Sequence, residues 1–154
     1  MALDEIDLKI LAALQKDARI SNQLLAERVG LSPSPCLRRV RQLEEDGVIR
    51  RYVTLLDPRA LGHGLHAFVE VRLDRQTRAS VDRFEAEIVK FPEVLECHFM
   101  AGDADYLLRV VVKDLDEFRA FHMNKLVKVP GVANVKSSIS MKQIKYTTEF
   151  PVDA

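Results

Sequence analysis

Residues 31 to 47, LSPSPCLRRVRQLEEDG, hold both boundary signals of a helix and, between them, a pattern that sets which side faces out. Ser32 precedes Pro33. A hydroxyl is thus placed to accept from the free amides of the first turn, and proline takes the first helical position, where its missing N–H costs nothing. Gly47 follows Asp46 and can adopt the left-handed conformation that closes a helix. At helical spacing Cys36, Leu37, Val40 and Leu43 share one side and are expected to pack inward. Ser34, Pro35, Arg38 and Gln42 point the other way, with Arg39 and Arg41 on the flanks. Small and polar groups at the leading end and cations behind them suit a helix that enters a DNA groove. Close approach is needed at base edges, and positive charge is needed at phosphates. The same face suits a merely solvated amphipathic helix, so the neighbouring segments decide.

Upstream, Asp4 can cap a helix from residue 3 to about 17, with Ile6, Ile10, Ala13 and Leu14 on one face and acids Glu5 and Asp7 at its positive end. Ser21 caps a second helix to about Val29, with Leu24, Leu25 and Val29 inward. Gly30 supplies a sharp turn, Leu31 plugs the core and Ser32 opens the third helix. Helix, helix, tight glycine turn, helix is the helix-turn-helix arrangement. After Gly47 the stretch VIRRYVTLL alternates and is rich in β-branched residues, which predicts a strand over about 49–56. Arg50 and Arg51 on it would lie near a DNA backbone, or else on a solvated strand edge.

A chain of 154 residues has room for one ordinary domain or two small ones. Asp57-Pro58 and Gly62-His63-Gly64 mark a change of composition, so residues 1–56 form the first expected domain, 57–64 a linker and 65–154 the second. Beyond the linker the period changes. Residues 65–73 alternate as a strand. Val81, Phe84, Ile88 and Phe91 repeat at helical spacing before Pro92. Strands follow at about 94–100 and 106–112. Asp114 caps a helix with Leu115, Phe118, Phe121, Leu126 and Val129 inward, and Pro130-Gly131 turns the chain into a last strand over about 132–144. Strand, helix, strand, strand, helix, strand is the ferredoxin-like unit, an antiparallel sheet with helices on one face. The other sheet face needs a cover, and a second copy of the chain supplies one, which predicts a homodimer. The expected class is α+β, a winged helix-turn-helix domain followed by a ferredoxin-like βαββαβ sensing domain.

The formal net charge is zero, so the basic signal is local to Arg38, Arg39, Arg41, Arg50 and Arg51. Weak overall charge predicts weak non-specific DNA binding and dependence on sequence-specific contacts made by a dimer. No apolar run could span a membrane and the first residues do not read as a secretory leader, which predicts a cytoplasmic protein. Cys36 and Cys97 stand far apart and read as packing residues rather than a disulfide or metal pair. His63, His66, His98 and His122 lack the paired spacing of a zinc site, and no phosphate loop or nucleophile elbow is present. No cofactor or metal is expected, and no catalytic residue.

The run LDEIDLKILAALQKDARISNQLLAERVGLSPSPCLRRVRQLEEDGVIRRY resembles the N-terminal domain of the Lrp/AsnC family of bacterial transcription regulators. The resemblance is carried in order by Leu3-Asp4, Ile6-Asp7, Ile10-Leu11, Leu14-Gln15, Asp17-Ala18-Arg19, Leu25-Ala26, Val29-Gly30-Leu31-Ser32, Arg39-Val40, Leu43-Glu44 and Gly47-Val48-Ile49. PEVLECHFMAGDADYLLRV and VPGVANVKSSISMKQIKYTTEFP are similar to the same family's amino-acid-sensing domain, so the likeness covers essentially the whole chain. It implies a regulator that binds double-stranded operator DNA and responds to a small amino acid bound between dimers of a ring-like octamer. Ser32, Ser34, Pro35, Arg38, Arg39, Arg41, Gln42, Arg50 and Arg51 are the candidate DNA-binding residues. Met100, Ala101, Gly102, Asp103 and Asp105 are the candidate effector residues, with Ser137 facing the ligand from the last strand. A zwitterion needs a carboxylate or carbonyls for its ammonium and open backbone N–H groups for its carboxylate, and the GDAD turn offers both. The same four residues also suit a plain hairpin turn. The likeness is nearest to members that control branched-chain or sulfur amino-acid use, so leucine, a branched-chain relative, methionine or cysteine is expected. Two other readings stand beside it: a metal-sensing regulator using Asp103, Asp105 and His98, and a small ferredoxin-like enzyme. The segment from Tyr146 to Pro151 reads as a tail packed on the dimer or the ring.

Overall fold

The computed structural model describes residues 3–152. Residues 1, 2, 153 and 154, the outer ends of the two expected domains, lie outside the described residues. The chain divides into two compact units. One runs to Leu55 and takes in the chain from Lys145; the other spans Leu56–Ile144.

The first unit is built from α1 (Glu5–Lys16), α2 (Asn22–Val29) and α3 (Pro33–Glu45). Asp4 and Asp7 form a reciprocal capping box at the start of α1, and the Ser21 hydroxyl accepts from the Leu24 amide at the start of α2. Gly30 closes α2 and Gly47 follows α3, both with φ near +73° to +74°, where an L side chain would be strained. Ile10, Leu25, Ala26, Cys36 and Leu43 are buried between the helices.

Four details differ from the sequence reading. Ser32 takes the cap position of α3, but its hydroxyl caps no amide. The reason lies in the first turn, Pro33-Ser34-Pro35: two of its three residues have no N–H to give. Leu24 and Leu37, expected inward, are exposed; Leu25, Cys36 and Leu43 already fill the small core. The strand expected over 49–56 does not form. The segment has no regular structure and is exposed apart from Ile49, which packs half-buried on the core of the first unit, and among the described residues no strand pairs with it. A strand is defined by its ladder partner, and alternation in one segment cannot provide one. The tail belongs with this unit rather than with the second. The Gln15 side chain donates to the Phe150 carbonyl at 3.0 Å and accepts from the Phe150 amide at 2.7 Å.

The second unit contains β1 (Leu65–Leu73), α4 (Arg78–Ile88), β2 (Val94–Phe99), β3 (Tyr106–Val112), α5 (Leu115–Asn124), a short 3-10 turn (Leu126–Lys128) and β4 (Val132–Ile139). All pairings are antiparallel, in the order β2-β3-β1-β4. Hydrophobic alternation sets the register. Ala67, Val69 and Val71 of β1 pair with Val110, Leu108 and Tyr106 of β3, and all six are buried against α4 and α5 through Phe84, Ile88 and Phe121. The expected ferredoxin-like arrangement is therefore present. β4 stops at Ile139 rather than 144: the Ser140 amide still donates to the His66 carbonyl at 2.8 Å, but β1 starts just before His66, at Leu65, and leaves no strand for the rest to pair with. Leu115 and Cys97, both expected to pack, are exposed. Phe68, on the sheet face away from the helices, is exposed as well. Among the described residues no helix is long and apolar enough to cross a membrane.

Candidate functional site

Ser34, Leu37, Arg38, Arg41, Gln42 and Glu45 line one shallow groove along the outer face of α3. They recur at intervals of three, one, three, one and three residues, which makes a continuous stripe on a helix. Arg38 and Arg41 are exposed, as are Arg50 and Arg51 beyond Gly47, and among the described residues none of the four forms an ion pair. The Gln42 amide donates to Asp46 Oδ1 at 2.9 Å. Ser32 is exposed and Pro35 is half-buried beside the stripe. Asn22 at the start of α2 donates to the Pro33 carbonyl at 2.8 Å, which ties the leading end of α3 to the helix before it. The Tyr52 hydroxyl donates to Glu44 at 2.9 Å and holds the following segment against the end of α3. Partial burial and the Glu44 carboxylate push that phenol up to about 12.

Arg39 does not join the stripe. Its Nη1 donates to Asp4 Oδ2 at 2.7 Å and to Asp7 Oδ1 at 2.8 Å. Its Nη1 is thereby engaged by two carboxylates at the capped end of α1 and is not free for the phosphate contact expected of Arg39. Asp7 is buried, so moving Arg39 away would strand a charge. Asp4 is held below the usual carboxylate range, first by the Asp7 amide and then by Arg39. Leu37 and Glu45 complete the stripe beyond the expected residues. Spacing from Ser34 and Arg38 indicates both, but hydrophobicity alone had assigned Leu37 to the core.

The candidate effector residues separate into two groups. Met100, Ala101, Gly102 and Asp103 are exposed in the turn between β2 and β3. A side chain at Gly102 would meet nothing within 4 Å, so this glycine leaves the backbone open rather than relieving a clash. Asp105 is different. It is 6% exposed, and its carboxylate accepts from the Leu73 amide at 2.7 Å and from Gln76 Nε2 at 2.5 Å. Its own amide donates to the Val71 carbonyl, and its carbonyl accepts from Met100. Asp105 therefore fastens the turn to the end of β1, and both of its side-chain oxygens are engaged. Ser137 pairs with Val69 in mid-strand on the far side of β1 from β3, so within one chain it is not brought to the turn. Among the described residues no three metal-ligating side chains cluster, and His98 lies 3.4 Å from Glu96, its neighbour on β2. The metal-sensing reading has no support.

Three helices in helix-turn-helix order, followed by an antiparallel sheet with helices on one face, are the architecture of a DNA-binding domain linked to a second domain. The winged helix-turn-helix DNA-binding model matches residues 3–50, and the Lrp/AsnC ligand binding domain model matches residues 66–150. The chain belongs to the Lrp/AsnC family, whose members are DNA-binding transcription regulators and not enzymes. It is 49% identical over 150 residues to the Bkd operon transcriptional regulator of Pseudomonas aeruginosa, covering 97% of this chain and 98% of that one. It is 43% identical to the leucine-responsive regulatory protein of Salmonella typhimurium, covering 97% and 92%. Among solved structures it is similar to a Neisseria meningitidis transcriptional regulator in complex with L-Met, with a TM-score of 0.94, 43% identity and coverage of 99% and 98%.

Proposed function

We propose that α3 reads operator DNA through the stripe that starts at Ser34, and that an aliphatic or sulfur-containing amino acid, bound at the turn Met100–Asp103, controls that reading. The stripe itself is the observation that carries the proposal. Ser34 and Arg38 reach base edges, Pro35 allows close approach and Gln42 stands behind them; Ser32, Arg41, Arg50 and Arg51 meet phosphates. A first turn with two prolines offers few amides to a phosphate, so the side chains supply the contacts. Two copies meeting across the sheet face that carries Phe68 place two α3 helices on a two-fold site, and such dimers assemble further to an octamer. The effector acts by favouring one arrangement of that assembly over another. Relatives named for leucine and crystallised with L-Met support the choice of effector class.

The deciding experiment pairs selection from a randomised DNA pool with a thermal-shift series over the twenty amino acids. Arg38→Ala should relax sequence preference by about 1–3 kcal/mol, whereas Arg41→Ala should weaken all sequences alike and flatten the salt dependence. One aliphatic or sulfur amino acid should raise the melting temperature, since a ligand of the folded state stabilises it. An Arg38→Ala profile equal to the wild type would overturn the base-reading role. A series with no shift would overturn the effector role.

A further inference from the structure

Leu37 is 38% exposed on the outer face of α3, in the same groove as Ser34, Arg38 and Arg41. The core does not need it. Cys36 and Leu43 are fully buried and Val40 covers the gap between them half-buried. A single exposed leucine on an ordinary surface calls for no explanation. This one precedes Arg38 by one residue and Arg41 by four, within the stripe that the proposed function places in the groove. Two guanidiniums that form no ion pair among the described residues suit a polyanion. They disfavour an apolar protein surface, which would desolvate both without a partner.

In the major groove each base pair presents a distinct set of donors and acceptors, and only thymine adds a methyl group. An aliphatic side chain beside a base-reading arginine has one base feature to recognise. We propose that Leu37 is a specificity-determining residue, contacting a thymine methyl next to the base pair that Arg38 reads. The inference rests on the DNA-reading function of α3.

The test removes the methyl group and nothing else. The full chain enriches duplexes from a randomised pool, and the preferred duplex is remade with deoxyuridine at one thymine at a time. One position should lose about fourfold in affinity, the value of one buried carbon. Leu37→Ala should bind the thymine and uracil duplexes alike at that position. Leu37→Met, which keeps an apolar tip, should retain the difference. Alanine favours a helix and the site is exposed, so both variants should melt as the wild type does. A preferred duplex in which no thymine can be exchanged with loss, or a loss that persists in Leu37→Ala, overturns the inference alone. A pool that enriches no sequence overturns the DNA-reading function and the inference with it.

Discussion

Arg39 on α3 donates to Asp7 on α1 at 2.8 Å, and Asp7 is one of only two charged residues buried among those described. The contact joins α3 to the first helix of the unit, with Asp4 as a second, more exposed acceptor. Arg39→Ala should therefore act on folding. It leaves the Asp7 carboxylate short of a partner and should lower stability by about 1–3 kcal/mol, discounted because Arg39 is itself part-exposed. A denaturant melt measures this. Arg39→Ala together with Asp7→Ala should lose less than the sum of the two single losses, because neither charge is then left alone. Additive losses would show that the pair is not coupled.

The two aspartates of the Gly-Asp-Ala-Asp turn should behave differently. Asp105→Ala removes the acceptor for the Leu73 amide and should cost about 1–3 kcal/mol. Asp103→Ala, on the exposed part of the turn, should leave the melting temperature unchanged while diminishing the amino-acid-induced shift. Equal destabilisation by both would remove the distinction drawn between anchor and ligand contact.

Gln15→Ala should release the chain end. The carboxamide both donates to and accepts from the Phe150 backbone, as a neighbouring strand would. Without it, amide exchange near Phe150 should rise to the rate of an open terminus and limited proteolysis should cut there sooner, with little change in global stability. Unaltered exchange would mean that another contact holds the segment.

Burial, then the charges of Arg109 and Arg59, hold the His66 imidazole below its ordinary value of 6.5. The unfolded chain thus takes up this proton before the folded one does. The stability it confers is complete above pH 6.5 and is lost as pH falls through the folded value. Melting temperatures measured between pH 7.5 and 5 should fall, and His66→Gln should flatten the slope. A slope unaffected by that substitution would assign it to another group.

Much of the architecture was legible because it depends on local patterns. Asp4, Ser21 and Asp114 each cap the helix expected of them. β1 and β3 begin and end where alternation and the apolar run place them, at Leu65–Leu73 and Tyr106–Val112. The placement of Ser34, Arg38 and Gln42 on the outer face of α3 followed from the helical period, whereas Leu37 was drawn inward by hydrophobicity alone. The expected strand over 49–56 failed for the opposite reason: its pattern is sound, but a strand exists only where another backbone answers it.

The sequence by itself determined the three leading helices, the order of strands and helices that follow them, and the family, because caps, periods and motif order act over a few residues. Only the tertiary structure decided how each charge is used. Arg38 and Arg39 are adjacent and chemically alike, yet one remains open to solvent and the other closes on Asp7 thirty-two residues away. Asp103 and Asp105 are two residues apart, yet one is exposed and the other is tied to Leu73. The physical reason is that a charged side chain is settled by the partner and the dielectric it meets. Both come from parts of the chain that local pattern does not connect.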